Sequence, residues 1–127
     1  MKICHVAIYT RKLEELKDFY TRYFNGKANQ LYVNKLKGFS SYFIEFDSET
    51  NLELMSNVSC HDTARDEFCT GIAHFAFSVG DIPAVQELTE KLRKDGYTVL
   101  RGPRITGDGY YESSVLDPDG NIVEITI

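Results

Sequence analysis

Long apolar runs are missing from this chain of 127 residues, and none approaches the length that crosses a bilayer. Clustered basic residues are missing too. The 14 Lys and Arg are scattered among 19 Asp and Glu, for a net charge of −5. Nothing here would neutralise a phosphate backbone, which excludes a nucleic-acid partner. Cysteine is sparse, with Cys4, Cys60 and Cys69 the three examples, and no pair has CxxC spacing. A thiolate metal site and a disulfide framework are therefore not expected, and free thiols in a reducing cytoplasm are. The first residues run straight into a strand pattern, so no leader peptide is expected. What is present is ordinary globular material: 43% hydrophobic and 26% charged residues, enough for one domain or two small fused modules.

The pattern that is present is a repeat. "ICHVAIYT" near the start returns as "IAHFAFSV", with His5 and His74 in matching places. After the first copy, Leu13, Leu16, Tyr20 and Phe24 fall at helical spacing, with Thr10 as the expected N-cap and Asn25-Gly26 as the stop. Strand patterns follow in "GFSSYFIEF" and "NLELMS", joined by "DSET", with a weaker one around Gln30 to Val33. After the second copy, Asp81 is the expected N-cap and Pro83 sits in the first turn. Ile82, Val85, Leu88 and Leu92 form the apolar stripe, and Gly96 ends the helix. "YTVLRGPRI", "GYYESSVLD" and "NIVEITI" read as strands, with a tight turn at "PDGN". Both halves read strand, helix, then two or three strands. The fold class is α+β. The expected division is module one over 1–57, a polar linker over 58–70 and module two over 71–127.

Register carries the repeat down to single residues. The histidines are 74 − 5 = 69 apart, and Glu53 in "NLELMS" and Glu124 in "NIVEITI" are 124 − 53 = 71 apart. Alternation places Val6 and Ile8 on the helix side of the first strand, and His5, Ala7 and Tyr9 on the other. In the second copy, Phe75 and Phe77 take the helix side, and His74 and Ala76 the other. Each histidine thus faces away from its helix, two residues before an alanine. Glu53 stands between Leu52 and Leu54, and Glu124 between Val123 and Ile125. A single strand histidine is ordinarily a hydrogen-bonded core residue, and a single such glutamate ordinarily faces water. Four such residues at corresponding positions of a repeat are different. If the halves are related by a pseudo-twofold, the four can converge on its axis as a His2Glu2 metal site. Imidazole and carboxylate donors suit Zn2+, Ni2+, Fe2+ or Mn2+.

Other residues carry weaker signals. Cys60 and His61 lie in the polar linker and read as solvated. "GPRITGDGYY" is glycine-rich without the context of a phosphate loop and reads as a hairpin loop. Arg101 and Arg104 suit an anionic substrate or simply a charged surface. Glu112 shares its strand face with Tyr110 and Ser114. Phe43 and Met55 read as cavity wall or core.

"ICHVAIYT", "NLELMS", "IAHFAFSV" and "LDPDGNIVEI" together resemble the vicinal oxygen chelate superfamily. It includes glyoxalase I, bleomycin-resistance proteins, fosfomycin-resistance enzymes, methylmalonyl-CoA epimerase and extradiol dioxygenases. The likeness runs over essentially the whole chain, and the DPxG turn before the last strand is its most specific element. It implies a pair of βαβββ modules forming a half-open curved sheet around a metal cavity. Glyoxalase I presents His, Glu, His, Glu in that order, which His5, Glu53, His74 and Glu124 match. The epimerase usually has Gln at the position of Glu53, and bleomycin-binding members lack the metal set.

The resemblance to small bacterial glyoxalase I implies a metal-dependent lyase acting on a hemithioacetal, with Zn or Ni as metal and Fe or Mn as alternatives. Glu124 is the implied base and Glu53 its symmetric partner. The implied substrate is a small glutathione or other thiol adduct, and the implied assembly is a homodimer with shared sites. Asn57 matches a glutathione-contacting asparagine. Tyr9 stands where the family commonly has arginine, with Arg11 two residues on and on the same face if the strand continues. Phe43 and Arg104 complete the candidate substrate contacts. Fosfomycin-opening, epimerase-like and antibiotic-binding proteins share the scaffold and are the alternatives.

Overall fold

A computed structural model describes residues 1–63 and 68–127. The chain divides into two compact units, Met1–Thr63 and Ala64–Ile127. The middle of the expected linker, residues 64–67, lies outside the described residues.

Unit 1 contains strand β1 (His5–Tyr9), helix α1 (Leu13–Tyr23) and strands β2 (Lys27–Ala28), β3 (Tyr32–Asn34), β4 (Phe39–Glu45) and β5 (Asn51–Asn57). Strand order is β1-β5-β4-β2, with β3 also paired to β4. The first and last strands of the unit lie side by side and parallel, and β4 runs antiparallel to β5. Alternation in β4 and β5 sends Tyr42, Ile44, Leu52 and Leu54 to one face, where α1 covers them with Leu16, Phe19, Tyr20 and Tyr23. Fully burying side chains of this size contributes about 1.5–3 kcal/mol each, so this layer holds the unit together.

Unit 2 repeats the plan with β6 (His74–Ser78), α2 (Ile82–Lys94), β7 (Val99–Ile105), β8 (Tyr111–Leu116) and β9 (Ile122–Thr126). Its order is β6-β9-β8-β7, again with first and last strands parallel neighbours. Val85, Thr89 and Leu92 of α2 are buried, as are Val115, Val123 and Ile125 of the sheet. The Thr89 hydroxyl donates to Val85 O at 2.6 Å and lies 2.6 Å from Ser113 Oγ, so both buried polar groups are satisfied. The fold is α+β with two open sheets, the vicinal oxygen chelate fold.

Several local expectations need correction. Thr10 does not cap α1. Its hydroxyl accepts from Lys12 N at 2.7 Å in a turn before the helix, and Lys12 takes the cap position without a side-chain bond. β1 stops at Tyr9, so strand parity does not extend to Arg11. Ile82 is exposed, and Thr89, whose hydroxyl is tied to the helix backbone, takes its place in the buried stripe. The weak strand is β3, shifted to Tyr32–Asn34, and Tyr110 precedes β8. Gly102 to Ile105 belong to β7, which confines the hairpin loop to the residues after them.

Other details match. Asp81 Oδ1 accepts from Ala84 N at 2.9 Å as the α2 cap. After α1, Asn25 takes a left-handed φ of 55° and Gly26 N returns to Tyr20 O at 3.1 Å.

Candidate metal centre

The parallel strand pairs create the same arrangement in each unit. In unit 1, Ala7 of β1 stands opposite Glu53 of β5, and His5 precedes Ala7 by two residues. In unit 2, Ala76 of β6 stands opposite Glu124 of β9, and His74 precedes Ala76 by two. Because alanine ends at Cβ, the imidazole two residues back can lean across to the carboxylate. His5 Nε2 lies 3.8 Å from Glu53 Oε2, and His74 Nε2 lies 3.1 Å from Glu124 Oε2.

The histidines face away from their helices and are not buried. Their side chains are 43% and 45% exposed, against 17% and 19% for Glu53 and Glu124. The reason is that each helix covers only the opposite face of its sheet. Burial raises the Glu124 carboxyl above its usual range. The His74 charge opposes this, Glu112 adds to it, and Arg104 and Arg101 oppose it.

The donors suit a divalent ion. Two ligands bonded at about 2.1 Å to one ion stand roughly 3.0–3.4 Å apart at right or tetrahedral angles. The His74–Glu124 pair is already at 3.1 Å, and the His5–Glu53 pair at 3.8 Å closes with a small side-chain rotation. Cys4 Sγ lies 3.4 Å from His5 Nδ1, while Nε2 is the ring nitrogen nearer the glutamate. Each unit offers two donors. Among the described residues no group of three or more His, Cys, Asp or Glu gathers in metal-binding proximity.

The remaining candidates are spread more widely. Phe43 stands opposite Glu53, its ring edge-on to His5 with centroids 5.7 Å apart. Tyr9 is exposed at the end of β1. Arg11 pairs with Asp62 at 2.8 Å. Asn57 braces a loop: Nδ2 donates to Lys37 O at 3.0 Å and Oδ1 accepts from Ser59 N at 2.9 Å. Cys60 Sγ accepts from Asn57 N at 3.2 Å, and His61 bonds Ser59 O locally, as suits linker residues. Arg104 stands opposite Glu112 on β7.

Asp117 entered above only as the first residue of the DPxG turn, with no role of its own. Its Oδ1 accepts from Asp119 N at 2.9 Å and Asn121 N at 2.8 Å, and its Oδ2 accepts from Asn121 Nδ2 at 2.8 Å. This carboxylate holds the "DPDGN" turn that aims β9, and with it Glu124. An acidic residue opening a Pro-Asp-Gly-Asn turn was the signal available for it.

The model of the Glyoxalase/Bleomycin resistance protein/Dioxygenase superfamily matches residues 2–125. The chain belongs to that superfamily. Among solved structures, this glyoxalase-superfamily chain is similar to the trypanothione-dependent glyoxalase I of Leishmania major. Identity is 25% and the TM-score 0.78, over 99% of this chain and 86% of that one. Glyoxalase I of Zea mays aligns at 23% identity and a TM-score of 0.82, over 98% of this chain. This chain spans only 44% of the length of that maize enzyme. A glyoxylase/bleomycin resistance protein/dioxygenase domain from Frankia sp. aligns at 19% identity and a TM-score of 0.84, over 100% of this chain and 97% of that one. The last two likenesses speak to the fold alone. No curated protein matches the chain. No helix among the described residues is long and apolar enough to cross a membrane.

Proposed function

We propose that the protein is a glyoxalase I-like, metal-dependent lyase that isomerises a hemithioacetal to a 2-hydroxyacyl thioester in the cytoplasm. The observation that carries this reading is the repeated His–Glu pair, with Nε2 facing Oε2 on neighbouring parallel strands in both units. Two such pairs, His5 with Glu53 and His74 with Glu124, make a complete set for a Zn2+ or Ni2+ ion, with Fe2+ or Mn2+ as alternatives. In a homodimer with shared sites, one pair comes from each subunit. When bound, the ion supplies positive charge against the negative charge that develops on the substrate oxygens.

The chain's own residues handle the proton. Glu124 takes it from the carbon bearing sulfur and returns it to the neighbouring carbon, which converts the aldehyde-derived carbon into the thioester. Its partial burial favours this role, because a poorly solvated carboxylate is a better base. Glu53 is its counterpart for the opposite face of the substrate. His5 and His74 hold position as donors. Tyr9, Arg11, Phe43 and Asn57 are the proposed substrate contacts.

The test is an assay of methylglyoxal with glutathione in the presence of Zn2+, Ni2+ and Mn2+ in turn, on the protein and on Glu124→Gln. Turnover with at least one metal is expected. Glu124→Gln should lower it by about 10²–10⁴-fold, the usual worth of a general base, while metal remains measurable by mass spectrometry. Wild-type turnover in the variant would remove Glu124 from the role.

A second reading has its own support. Tyr9 replaces the arginine common in glutathione-using relatives, and the Asn57 amide is committed to Lys37 and Ser59. Both favour a small substrate other than a glutathione adduct on the same metal centre.

A further inference from the structure

Two buried hydroxyls have no hydrogen-bond partner, and one of them stands beside Glu124. The buried polar side chains among the described residues are Thr10, Ser41, Thr89, Ser113, Ser114 and Asp117. Thr10 bonds Lys12 N, Thr89 and Ser113 bond one another, and Asp117 bonds its own turn. Among the described residues nothing bonds the hydroxyls of Ser41 and Ser114. An unpaired buried polar group costs stability, and in native structures it commonly marks a place where the group has another use.

Register shows what lies within reach of Ser114. Its neighbour Ser113 faces α2 and bonds Thr89, so alternation turns Ser114 to the opposite face of β8. There it stands directly opposite Glu124 on β9. Residues so paired hold their Cβ atoms about 4.5–5.5 Å apart, a gap that a serine hydroxyl and a glutamate carboxylate can bridge by side-chain rotation alone. No fully enclosed side-chain polar atom lacks a partner among the described residues, so the Ser114 hydroxyl, which lacks one, keeps an opening onto this face. Glu124 offers the acceptor. Its Oε2 lies 3.1 Å from His74 Nε2, and no described residue donates a hydrogen bond to Oε1.

Unit 1 has no equivalent. The residue opposite Glu53 is Phe43, which carries no donor and sets its ring edge-on to His5. Ser41 stands opposite Met55 and Tyr32, neither of them a carboxylate. The two glutamates of the repeat therefore differ by one available donor.

We propose that Ser114 is a positioning residue for Glu124, its hydroxyl donating to Oε1 and so keeping Oε2 on the side of His74 Nε2. This rests on the metal-centre reading above and deepens it by naming the side chain that sets one ligand in place. Metal-binding carboxylates are ordinarily held by such a second hydrogen bond, and losing it costs about 10–100-fold in metal affinity. A hydroxyl with no other partner is free to supply it, at some expense to the stability of the metal-free fold.

The test measures Zn2+ affinity by competition with a chromophoric chelator, on the wild type and on Ser114→Ala, Ser114→Val and Ser114→Thr. Threonine keeps the hydroxyl, and valine has the shape of threonine without it. Ser114→Ala should bind Zn2+ about tenfold more weakly than the wild type, and Ser114→Thr about tenfold more tightly than Ser114→Val. Ser41→Ala should leave the affinity unchanged. Urea unfolding of the metal-free protein is the second readout. Ser114→Ala should be at least as stable as the wild type, because it breaks no bond. Ser113→Ala, which breaks the pair with Thr89, should be less stable and still bind Zn2+ normally. Wild-type affinity in Ser114→Ala would overturn the proposal and leave the metal centre standing. Equal affinities for the Thr and Val variants would overturn it too, since shape rather than the hydroxyl would then matter. A metal-free Ser114→Ala less stable than the wild type would show that the hydroxyl serves the fold, and would overturn it as well. If the wild type takes up no Zn2+, the metal-centre reading falls and takes this proposal with it.

Discussion

Asp117 is the residue whose removal should cost most for its size. The side chain is nearly fully buried and accepts three hydrogen bonds, from Asp119 N, Asn121 N and Asn121 Nδ2, all between 2.8 and 2.9 Å. Two of these donors are backbone amides of the turn into β9, and all three bonds are charge-assisted. Such bonds contribute about 1.5–3 kcal/mol each where solvent cannot replace them, and water reaches part of this turn, so Asp117→Ala should destabilise by about 3 kcal/mol. Asp117→Asn should cost less, about 1–2 kcal/mol, because its amide oxygen can keep both backbone bonds while its NH2 would confront the NH2 of Asn121. Adding Asn121→Asp should recover part of that loss by reversing donor and acceptor. The assay is urea unfolding followed by far-UV circular dichroism. A loss below 1 kcal/mol in Asp117→Ala, or a double variant worse than Asp117→Asn alone, would refute the reasoning.

Gly102→Ala places a Cβ against Glu112 O on a left-handed backbone, so it should cost about 3 kcal/mol in the same unfolding assay, from strain and overpacking together. Glu14 accepts from Lys17 and from the Tyr42 hydroxyl, which lower its carboxyl below the ordinary 4.5. A lowered folded pKa contributes stability above that value and loses it as pH falls through the folded pKa. Because Glu14 is 59% exposed, Glu14→Gln should cost less than about 1 kcal/mol at neutral pH. The difference should close on acidification, and a gap that persists in acid would contradict this. Mixing equal amounts of His5→Ala and Glu124→Gln chains tests site sharing. If each site takes one pair from each subunit, half the dimers are mixed and one of their two sites is intact, which gives about a quarter of wild-type turnover. Sites contained in single chains would give none.

Much of the architecture was legible because it rests on local periodicity. The echoed strands, the Asp81 cap, the Asn25-Gly26 stop and the parity of Glu53 and Glu124 each follow from a few neighbouring residues. What escaped depends on partners far along the chain or on irregular backbone. Residues 102–105 read both as the end of a strand, in "YTVLRGPRI", and as the start of a hairpin loop, in "GPRITGDGYY", because Gly102 and Pro103 look like turn residues, yet they lie at a register shift inside β7. Thr89 was absent from the expected stripe of α2, and Ser113 gives its hydroxyl a buried partner. The exposure of the histidines was not legible among their apolar neighbours, since it follows from each helix covering the opposite face of its sheet.

The parallel pairing of first and last strands has a consequence for assembly. Each donor pair joins residues from opposite ends of its unit, His5 with Glu53 and His74 with Glu124. The intervening helix and strands must be laid down before the final strand can dock beside the first. These are long loop closures in each module, and contacts of high sequence separation slow folding because their closure entropy comes first. If the proposed centre holds a metal ion, its binding free energy would go to the finished module rather than to an unfinished one. Losing either terminal strand would remove one member of the His–Glu pair, so under the proposed function metal uptake would report on whether both strands of each pair are in place.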